Sequence, residues 1–346
     1  ALSSAASDVY KRQFLLYLEC ESLISAWMRI MKNISLVIIS SILSFTSYCS
    51  VAKEPTKAVI AHVTASTADT LSITHAAGVT QIHKNPQRVI LFDFGTYDSL
   101  EKLGLTSRVV GLPKSIPSYI KGKVSSSMTD VGGMKDPDLN AIALLQPDLI
   151  IITGRQGNSY DALSAIAPTI SLATDQKTYF ASVKKNAELL GQIFDKKDDV
   201  ARYIETLSHQ IASIKSDKTP ENLTALTLIH NNGNFGVTHQ PIVFDVLGMK
   251  QAKVTLPKSD NSNKKRVPLT THDIAQANPD IIFIVDRSAA IGTTPLDKAK
   301  FEDDNLRSTS AFKNGKIVYL TPDLWYLSGA GLESTAAQLT EIANAL

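Results

Sequence analysis

Short apolar runs alternate with amphipathic segments along most of this chain. The runs have the length of buried strands, and the segments between them repeat their apolar positions at helical spacing. The predicted strands cover residues 89–92, 109–111, 149–153, 169–172, 226–229, 281–285 and 317–320. Strands that alternate with helices in this way argue for parallel sheets.

The middle of the chain has a different pattern. Residues 178–215 contain no proline and a single glycine, Gly191, and their apolar positions recur at threes, fours and sevens. This spacing predicts a long amphipathic linker helix, in which a break near Asp195 is left open. The fold class that follows is α/β: two Rossmann-like lobes with mainly parallel sheets, residues 71–177 and 216–346, joined by one long α-helix.

The two lobes share a repeated phrase. Residues 142–155 read IALLQPDLIIITGR and residues 274–287 read IAQANPDIIFIVDR, which are identical at seven of fourteen positions. Each copy reads as the end of a helix, a turn and a buried strand, with an arginine two residues past the strand. Ligands of open α/β sheets bind beyond the C-terminal ends of the strands. Arg155 and Arg287 are therefore predicted to face one anion, because a guanidinium is a permanently charged fork of donors.

Each arginine also has a local alternative, an ion pair with a carboxylate such as Asp161 or Asp286. The matched placement in both lobes favours ligand contact.

Trp325 and Tyr326 follow the last predicted strand. Such a pair can be a lid over the core, or it can stack on an aromatic ligand and offer a phenol oxygen to a hard metal.

The beginning of the chain does not read as part of the fold. Residues 31–52 have a basic start, an apolar stretch and small residues before the end, which is the pattern of a cleaved secretory signal and predicts a periplasmic protein. Residues 1–30 are interpreted as upstream sequence, and residues 53–70 as a flexible lead-in. Cys49 raises the alternative of a lipoprotein anchor, which Tyr48 disfavours because it stands where a small residue is needed.

Composition narrows the classes of function. Cleavage after Ala52 leaves 31 Lys and Arg against 30 Asp and Glu, so neither nucleic acid nor an anionic membrane is an expected partner. Both cysteines precede the cut, so no cysteine metal site is expected. P-loop, zincin and nucleophile-elbow motifs are missing from the sequence, and the histidines are scattered. The chain is predicted to be a monomeric binding protein and not an enzyme.

Several groups of residues resemble a known family. Residues 85–90 (NPQRVI), residues 98–104 (DSLEKLG) and the two Pro-Asp strands are similar to the periplasmic binding proteins whose lobes are joined by one long helix. Those proteins deliver iron–siderophores, haem or cobalamin to inner-membrane ABC importers. Residues 154–156, 284–287 and 325–327 look most like the ferric catecholate binders of that class. The resemblance implies a ferric siderophore as ligand, an ABC permease as partner, and no intrinsic cofactor.

The resemblance also implies roles for single residues. In the catecholate binders the arginines that match Arg155 and Arg287 form a cationic cleft. The tyrosine that matches Tyr326 ligates iron directly when the siderophore supplies only two catechols. A third pocket arginine of that group falls on His239 here, and its iron-ligating histidine falls in residues 261–268, which contain no histidine.

These departures favour a coordinatively complete ferric catecholate. The expected contacts to it come from Arg155, Arg266, Arg287, Lys265, His239, Trp325 and Tyr326. Family members dock to their permease through one glutamate on each lobe, at positions that match Asn140 and His272. Neither residue is acidic, and the neighbouring Asp138 and Asp273 are the expected substitutes.

Two alternatives remain open. The first is a haem transport protein with Tyr326 as the axial ligand. The second is a secreted two-domain enzyme, whose mark would be a buried carboxylate or histidine with a shifted pKa in the cleft.

Overall fold

The computed structural model describes residues 58–217, 223–256 and 268–346. Among these residues, no helix combines the length and the apolar character needed to cross a bilayer. Several predictions lie outside the described residues, namely those for residues 1–30, residues 31–52, Lys265 and Arg266.

The described strands fall into two series. Those of the N-terminal lobe are β1 (His62–Ser66), β2 (Thr70–His75), β3 (Gly78–His83), β4 (Val89–Leu91), β5 (Val109–Leu112), β6 (Thr129–Asp130), β7 (Leu149–Ile152) and β8 (Thr169–Ser171). Those of the C-terminal lobe are β9 (Thr224–Asn231), β10 (Asn234–Val237), β11 (Lys250–Gln251), β12 (Ile281–Asp286) and β13 (Ile317–Leu320).

The described α-helices are mostly short and connect the strands. They are α1 (Phe94–Lys102), α2 (Ser118–Lys121), α3 (Leu139–Leu144), α4 (Tyr160–Ser164), α5 (Tyr179–Ile193), α6 (Lys197–Asp217), α7 (Thr271–Ala277), α8 (Arg287–Ala290), α9 (Lys298–Phe301), α10 (Asp304–Arg307), α11 (Ser310–Lys313), α12 (Pro322–Tyr326) and α13 (Leu332–Ala345). Tighter 3-10 turns cover Thr106–Arg108, Gly154–Ser159 and Gln176–Thr178, and a π-helical turn covers Ile242–Val246.

The N-terminal lobe is built on a parallel sheet of order β6-β5-β4-β7-β8. All four residues of β7 are buried, as expected for a parallel strand that is covered on both faces. A smaller antiparallel sheet, β1-β2-β3, packs against this lobe and buries Leu71, Ile73 and Ile82 in its core. Residues 62–66, which the sequence assigned to a flexible lead-in, form β1, because their backbone pairs with β2.

The C-terminal lobe repeats this plan. Its sheet has the order β10-β9-β12-β13, with β11 paired to the start of β9. The pairs β9–β12 and β12–β13 are parallel, and β10 runs antiparallel, as a hairpin partner of β9. The predicted α/β class with two lobes and mainly parallel sheets is confirmed.

The linker between the lobes consists of two consecutive helices, α5 and α6, which pack against each other. The chain breaks between them at Asp195, whose φ of 53° lies in the left-handed region. Aspartate tolerates this conformation better than bulky residues do. The expectation of one long α-helix is therefore corrected: its amphipathic pattern is present, and the break lies at the position that the sequence left open.

The C-terminal helix α13 returns from the second lobe and packs on α1 and α6. Asp98 of α1, which is fully buried, accepts hydrogen bonds from the backbone N–H groups of Glu333 (2.9 Å) and Ser334 (3.1 Å) at the start of α13. The Tyr119 hydroxyl donates to the same carboxylate. Burial raises the pKa of Asp98 to about 7, although these donors oppose the shift.

Two glycines allow α1 and α13 to approach each other. A Cβ atom on Gly331 would lie 2.2 Å from the Gly95 carbonyl oxygen, and a Cβ on Gly95 would lie 2.1 Å from the Gly329 carbonyl oxygen. Real side chains do not come this close, so both positions require glycine. The junction of α1 with the loop before α13 is therefore closed by backbone atoms in direct contact.

We expect Gly331→Ala to lower the free energy of unfolding by about 3 kcal/mol, because the new methyl group must push apart two backbone segments. Gly122→Ala is the matched control: its φ is −74° and no heavy atom lies within 4 Å of the added Cβ. That variant should change the free energy by less than about 0.5 kcal/mol in urea denaturation. Equal stability of the two variants would contradict the proposed packing of the junction.

Candidate functional site

Arg155 lies at the C-terminal end of β7, in the 3-10 turn 154–159. Thr153 caps this turn: its Oγ1 accepts from the Arg155 N–H (3.3 Å), and its own N–H donates to Gln156 Oε1 (2.9 Å). The Gln156 side chain is buried and donates in turn to the Met134 carbonyl. This capping fixes the backbone and leaves the Arg155 side chain exposed above it.

Arg287 occupies the equivalent place in the second lobe, directly after β12. Asp286 caps the helix that begins there by accepting from the Ala289 N–H. The half-buried Arg287 donates from Nε to the Tyr326 hydroxyl oxygen (2.7 Å) and from Nη1 to Asn231 Oδ1 (2.6 Å).

Both arginines meet at Tyr326. Arg155 Nη2 donates to the Tyr326 carbonyl oxygen (2.9 Å), while Arg287 binds the phenol oxygen of the same residue. The guanidinium carbons lie 5.8 Å and 5.3 Å from the centre of the tyrosine ring, within the range of cation–π attraction. The structure thus brings together Arg155, Arg287 and Tyr326, which we call the arginine–tyrosine cluster.

The local alternative for the arginines does not describe this structure. In the described part of the chain, no hydrogen bond or ion pair joins either arginine to Asp161 or Asp286. The acceptors are neutral: a carbonyl, a phenol and an amide. Both guanidinium charges therefore lack a carboxylate partner within the cluster.

Among the described residues, no side-chain hydrogen bond or ring contact joins Trp325 or His239 to the cluster. The Trp325 side chain is 7% exposed, belongs to the core and donates from its indole nitrogen to Glu341 Oε2 (2.6 Å). It fastens α12 to α13 and presents no open face for stacking. His239 bonds to Asp245 through Nε2, and its ring lies 5.1 Å from that of Phe244.

A polar network behind Arg287, which the sequence did not predict, involves His230 and Asp286. The buried His230 accepts from the Gly233 N–H at Nε2 (2.9 Å), so its proton is on Nδ1 and is donated to Asp286 Oδ1 (2.7 Å). The Leu296 N–H donates to the other oxygen of Asp286 (2.7 Å). The signal was present: His230 and Asn231 are polar residues at the end of an apolar strand beside β12.

This network changes the acidity of Asp286. Burial alone would raise its pKa, but hydrogen bonds from His230 and from two backbone N–H groups outweigh burial and hold the pKa below its ordinary value. The carboxylate stays ionised and keeps the ends of β9 and β12 together. The network thereby positions Asn231 and Arg287 relative to each other.

A cavity of about 510 Å³ opens beside Arg155. Its walls come from the first lobe, from α5 and from the loop 327–330 that follows Tyr326. The lining is mixed: it includes the charged groups of Asp93 and Arg155 and the apolar side chains of Leu172 and Leu190.

The two predicted docking residues occupy similar places in the two lobes. Asp138 is exposed and caps α3 by accepting from the Asn140 and Ala141 N–H groups. Asp273 lies in the first turn of α7 and accepts from the backbone N–H and the hydroxyl of Thr270, which lower its pKa. Each therefore marks the start of the helix that precedes an arginine-bearing strand.

Two α/β lobes, a helical linker and cationic groups at the facing strand ends define a two-lobed solute-binding protein. Residues 89–324 match the family described as periplasmic binding protein, so the chain belongs to that family. This confirms the family that the sequence resembled.

Individual relatives agree with this assignment. The petrobactin-binding protein YclQ of Bacillus subtilis is 38% identical over 77% of this chain and 84% of its own length. The ferric-anguibactin-binding protein FatB of Vibrio anguillarum is 31% identical over 78% of this chain and 85% of its own. The crystal structure of YclQ covers 80% of this chain and 98% of its own, with a TM-score of 0.74 and 36% identity.

A catecholate binder is also among the similar structures. The periplasmic catecholate-siderophore binding protein VctP of Vibrio cholerae has a TM-score of 0.70 and 27% identity, and the match covers 80% of this chain and all of VctP. At that identity this chain is a relative of VctP and a separate protein.

We expect Asp286 to contribute to stability in a pH-dependent way. Its pKa in the folded state lies below the unfolded value of about 4, so its contribution is present above about pH 4 and is lost as the pH falls further. The free energy of unfolding of wild type should therefore fall more steeply below about pH 4 than that of Asp286→Asn.

Urea titrations at a series of pH values measure this difference. Asp161→Asn, on the exposed surface of α4, is the control and should follow wild type. Parallel pH profiles for wild type and Asp286→Asn would show that the network does not favour the ionised carboxylate.

Proposed function

We propose that this chain is a periplasmic solute-binding protein that captures a ferric catecholate siderophore and delivers it to an inner-membrane ABC importer. The observation that carries the proposal is the arginine–tyrosine cluster, in which a guanidinium from each lobe reaches the same tyrosine. The relatives support a siderophore as the ligand: YclQ is a petrobactin-binding protein, FatB a ferric-anguibactin-binding protein, and VctP a catecholate-siderophore binding protein.

Electrostatics explains why such a cluster suits a ferric catecholate. A guanidinium keeps its charge at any physiological pH, and its fork of N–H groups matches the paired oxygens of a catecholate. Two opposite unit charges 4 Å apart attract by about 4 kcal/mol at an effective dielectric constant near 20. Arg155 and Arg287 now donate to neutral acceptors, which an anionic chelate can replace with a net gain of charge attraction.

The lobes need little movement for this exchange. The junction of α1 with α13 and the packing of α5 against α6 restrict large hinge rotations, so capture depends on side chains and the loop after Tyr326. Binding involves no covalent step, and iron is cargo. Asp138 and Asp273 are then the proposed contacts to the permease, one on each lobe.

The first test is ligand binding. Purified protein titrated with a ferric catecholate should show saturable quenching of tryptophan fluorescence, with a dissociation constant below about 10 μM. Arg155→Ala and Arg287→Ala should each weaken binding by about 1.5–3 kcal/mol, because each removes a charged hydrogen-bond donor.

Arg202→Ala is the matched control. Arg202 is exposed on α6 and pairs with Asp199, away from the cluster. It should leave the affinity unchanged. If the double variant Arg155→Ala/Arg287→Ala binds like wild type, the cluster is not the ligand site.

Tyr326 can be tested as a direct iron ligand. Tyr326→Phe removes the phenol oxygen that now accepts from Arg287. If this oxygen completes the coordination of iron, the variant should lose about tenfold more affinity for a ferric bis-catecholate, which leaves iron sites open, than for a ferric tris-catecholate, which leaves none. Equal losses for both ligands would assign the phenol to hydrogen bonding alone. Fluorescence titration gives the affinities, and visible absorption reports the iron coordination.

A further inference from the structure

The cavity beside Arg155 contains a carboxylate that the capture of an anion does not need. Asp93 lines the cavity and caps α1, where Oδ2 accepts from both the N–H (2.9 Å) and the hydroxyl (2.6 Å) of Thr96. Within the described part of the chain, no lysine or arginine forms an ion pair with it. In a site that binds only anions, a carboxylate in the wall without a cationic partner would repel the ligand.

The environment of Asp93 makes this charge costly. Burial raises the pKa of Asp93, against the hydrogen bonds from Thr96 and the more distant field of Arg155. An incoming hydrogen-bond donor, above all a cationic one, would relieve that cost.

A second acceptor lies in the same wall. Asn186 of α5 is 6% exposed and donates from Nδ2 to the Ala173 carbonyl (3.0 Å), but its Oδ1 has no hydrogen-bond partner. Buried acceptors are nearly always satisfied in folded proteins, so this orphaned oxygen, which is itself shielded from solvent, leaves the hydrogen bonding of the wall incomplete.

The rest of the cavity is compatible with an aliphatic chain. Leu172, Leu190 and Leu327 contribute apolar surface, and Arg155 stands at the side that adjoins the arginine–tyrosine cluster. The site as a whole is therefore bipolar. Cations hold one end of the ligand, and the Asp93 carboxylate, beside apolar side chains, meets the other.

We propose that this cavity is a second subsite, which recognises an aliphatic arm carrying an ammonium or N–H group on the same ligand whose iron chelate is held by Arg155 and Arg287. The inference rests on the proposed function and deepens it. Asp93 is the specificity-determining residue: it attracts an amine-bearing arm and repels a second anionic one. Arg155 repels the amine and attracts the chelate, so the two ends of the ligand cannot exchange places.

The test uses two synthetic ferric bis-catecholates with linkers of equal length. One linker is a plain alkyl chain, and the other carries a secondary amine at its centre in place of one methylene. Wild type should bind the amine-bearing probe about tenfold more tightly, as expected for one charged hydrogen bond. Asp93→Asn and Asp93→Ser should reduce this preference to about twofold or less.

Both substitutions retain a good helix cap, so the fold of α1 should persist, which circular dichroism and a thermal melt would check. Asp297→Asn is the matched control, an aspartate cap on α9 that lies outside the cavity lining. It should keep the full tenfold preference.

The outcomes separate the two hypotheses. If wild type binds both probes equally, or Asp93→Asn keeps the preference, the second subsite is overturned while the proposed function stands. If neither probe binds, the proposed function fails and the subsite fails with it.

Discussion

The geometry of the site depends on the junction between α1 of the first lobe and the start of α13. Gly95, Gly329 and Gly331 let backbone meet backbone there, and the Asp98 carboxylate binds the first N–H groups of α13. The loop that enters this junction is the one that leaves Tyr326. Its closure therefore fixes the position of the tyrosine, and the two arginines bind different oxygens of it, Arg155 the carbonyl and Arg287 the phenol.

The charge of Arg287 stays available because the neighbouring carboxylate binds other donors. His230 and two backbone N–H groups satisfy Asp286, the nearest carboxylate to Arg287 along the chain, so it does not neutralise the guanidinium. Asn231 instead offers a neutral amide oxygen that orients Arg287. Because the Arg287 guanidinium is left without a carboxylate partner, an anionic ligand can supply the counter-charge. By the same reasoning, the Asp93 carboxylate is unexpected, because it lines the cavity beside Arg155 and no described lysine or arginine forms an ion pair with it.

The sequence predicted the parallel sheets and the positions of the two arginines. The fully apolar strands predicted parallel sheets, and the repeated phrase located Arg155 and Arg287 at matching strand ends, where the structure places them. The local sequence pattern did not predict which side chains are buried. Trp325 and Tyr326 are neighbours in sequence, yet Trp325 turns into the core to meet Glu341 while Tyr326 faces the arginines. The break at Asp195 and the strand 62–66 are likewise backbone features, a left-handed φ and pairing with the neighbouring strand β2.

The sequence by itself determined the α/β class, the two lobes and the cationic strand ends. The spacing of apolar residues and the identity of the residue after each strand are local properties, which can be seen directly in the sequence. Only the tertiary structure decided that both guanidinium groups converge on Tyr326, that Asn231 supports one of them, and that Asp93 and Asn186 share a cavity wall. Those contacts join residues from separate elements. Their existence depends on how the packed helices and loops bring distant side chains within hydrogen-bond reach, which no single stretch of sequence specifies.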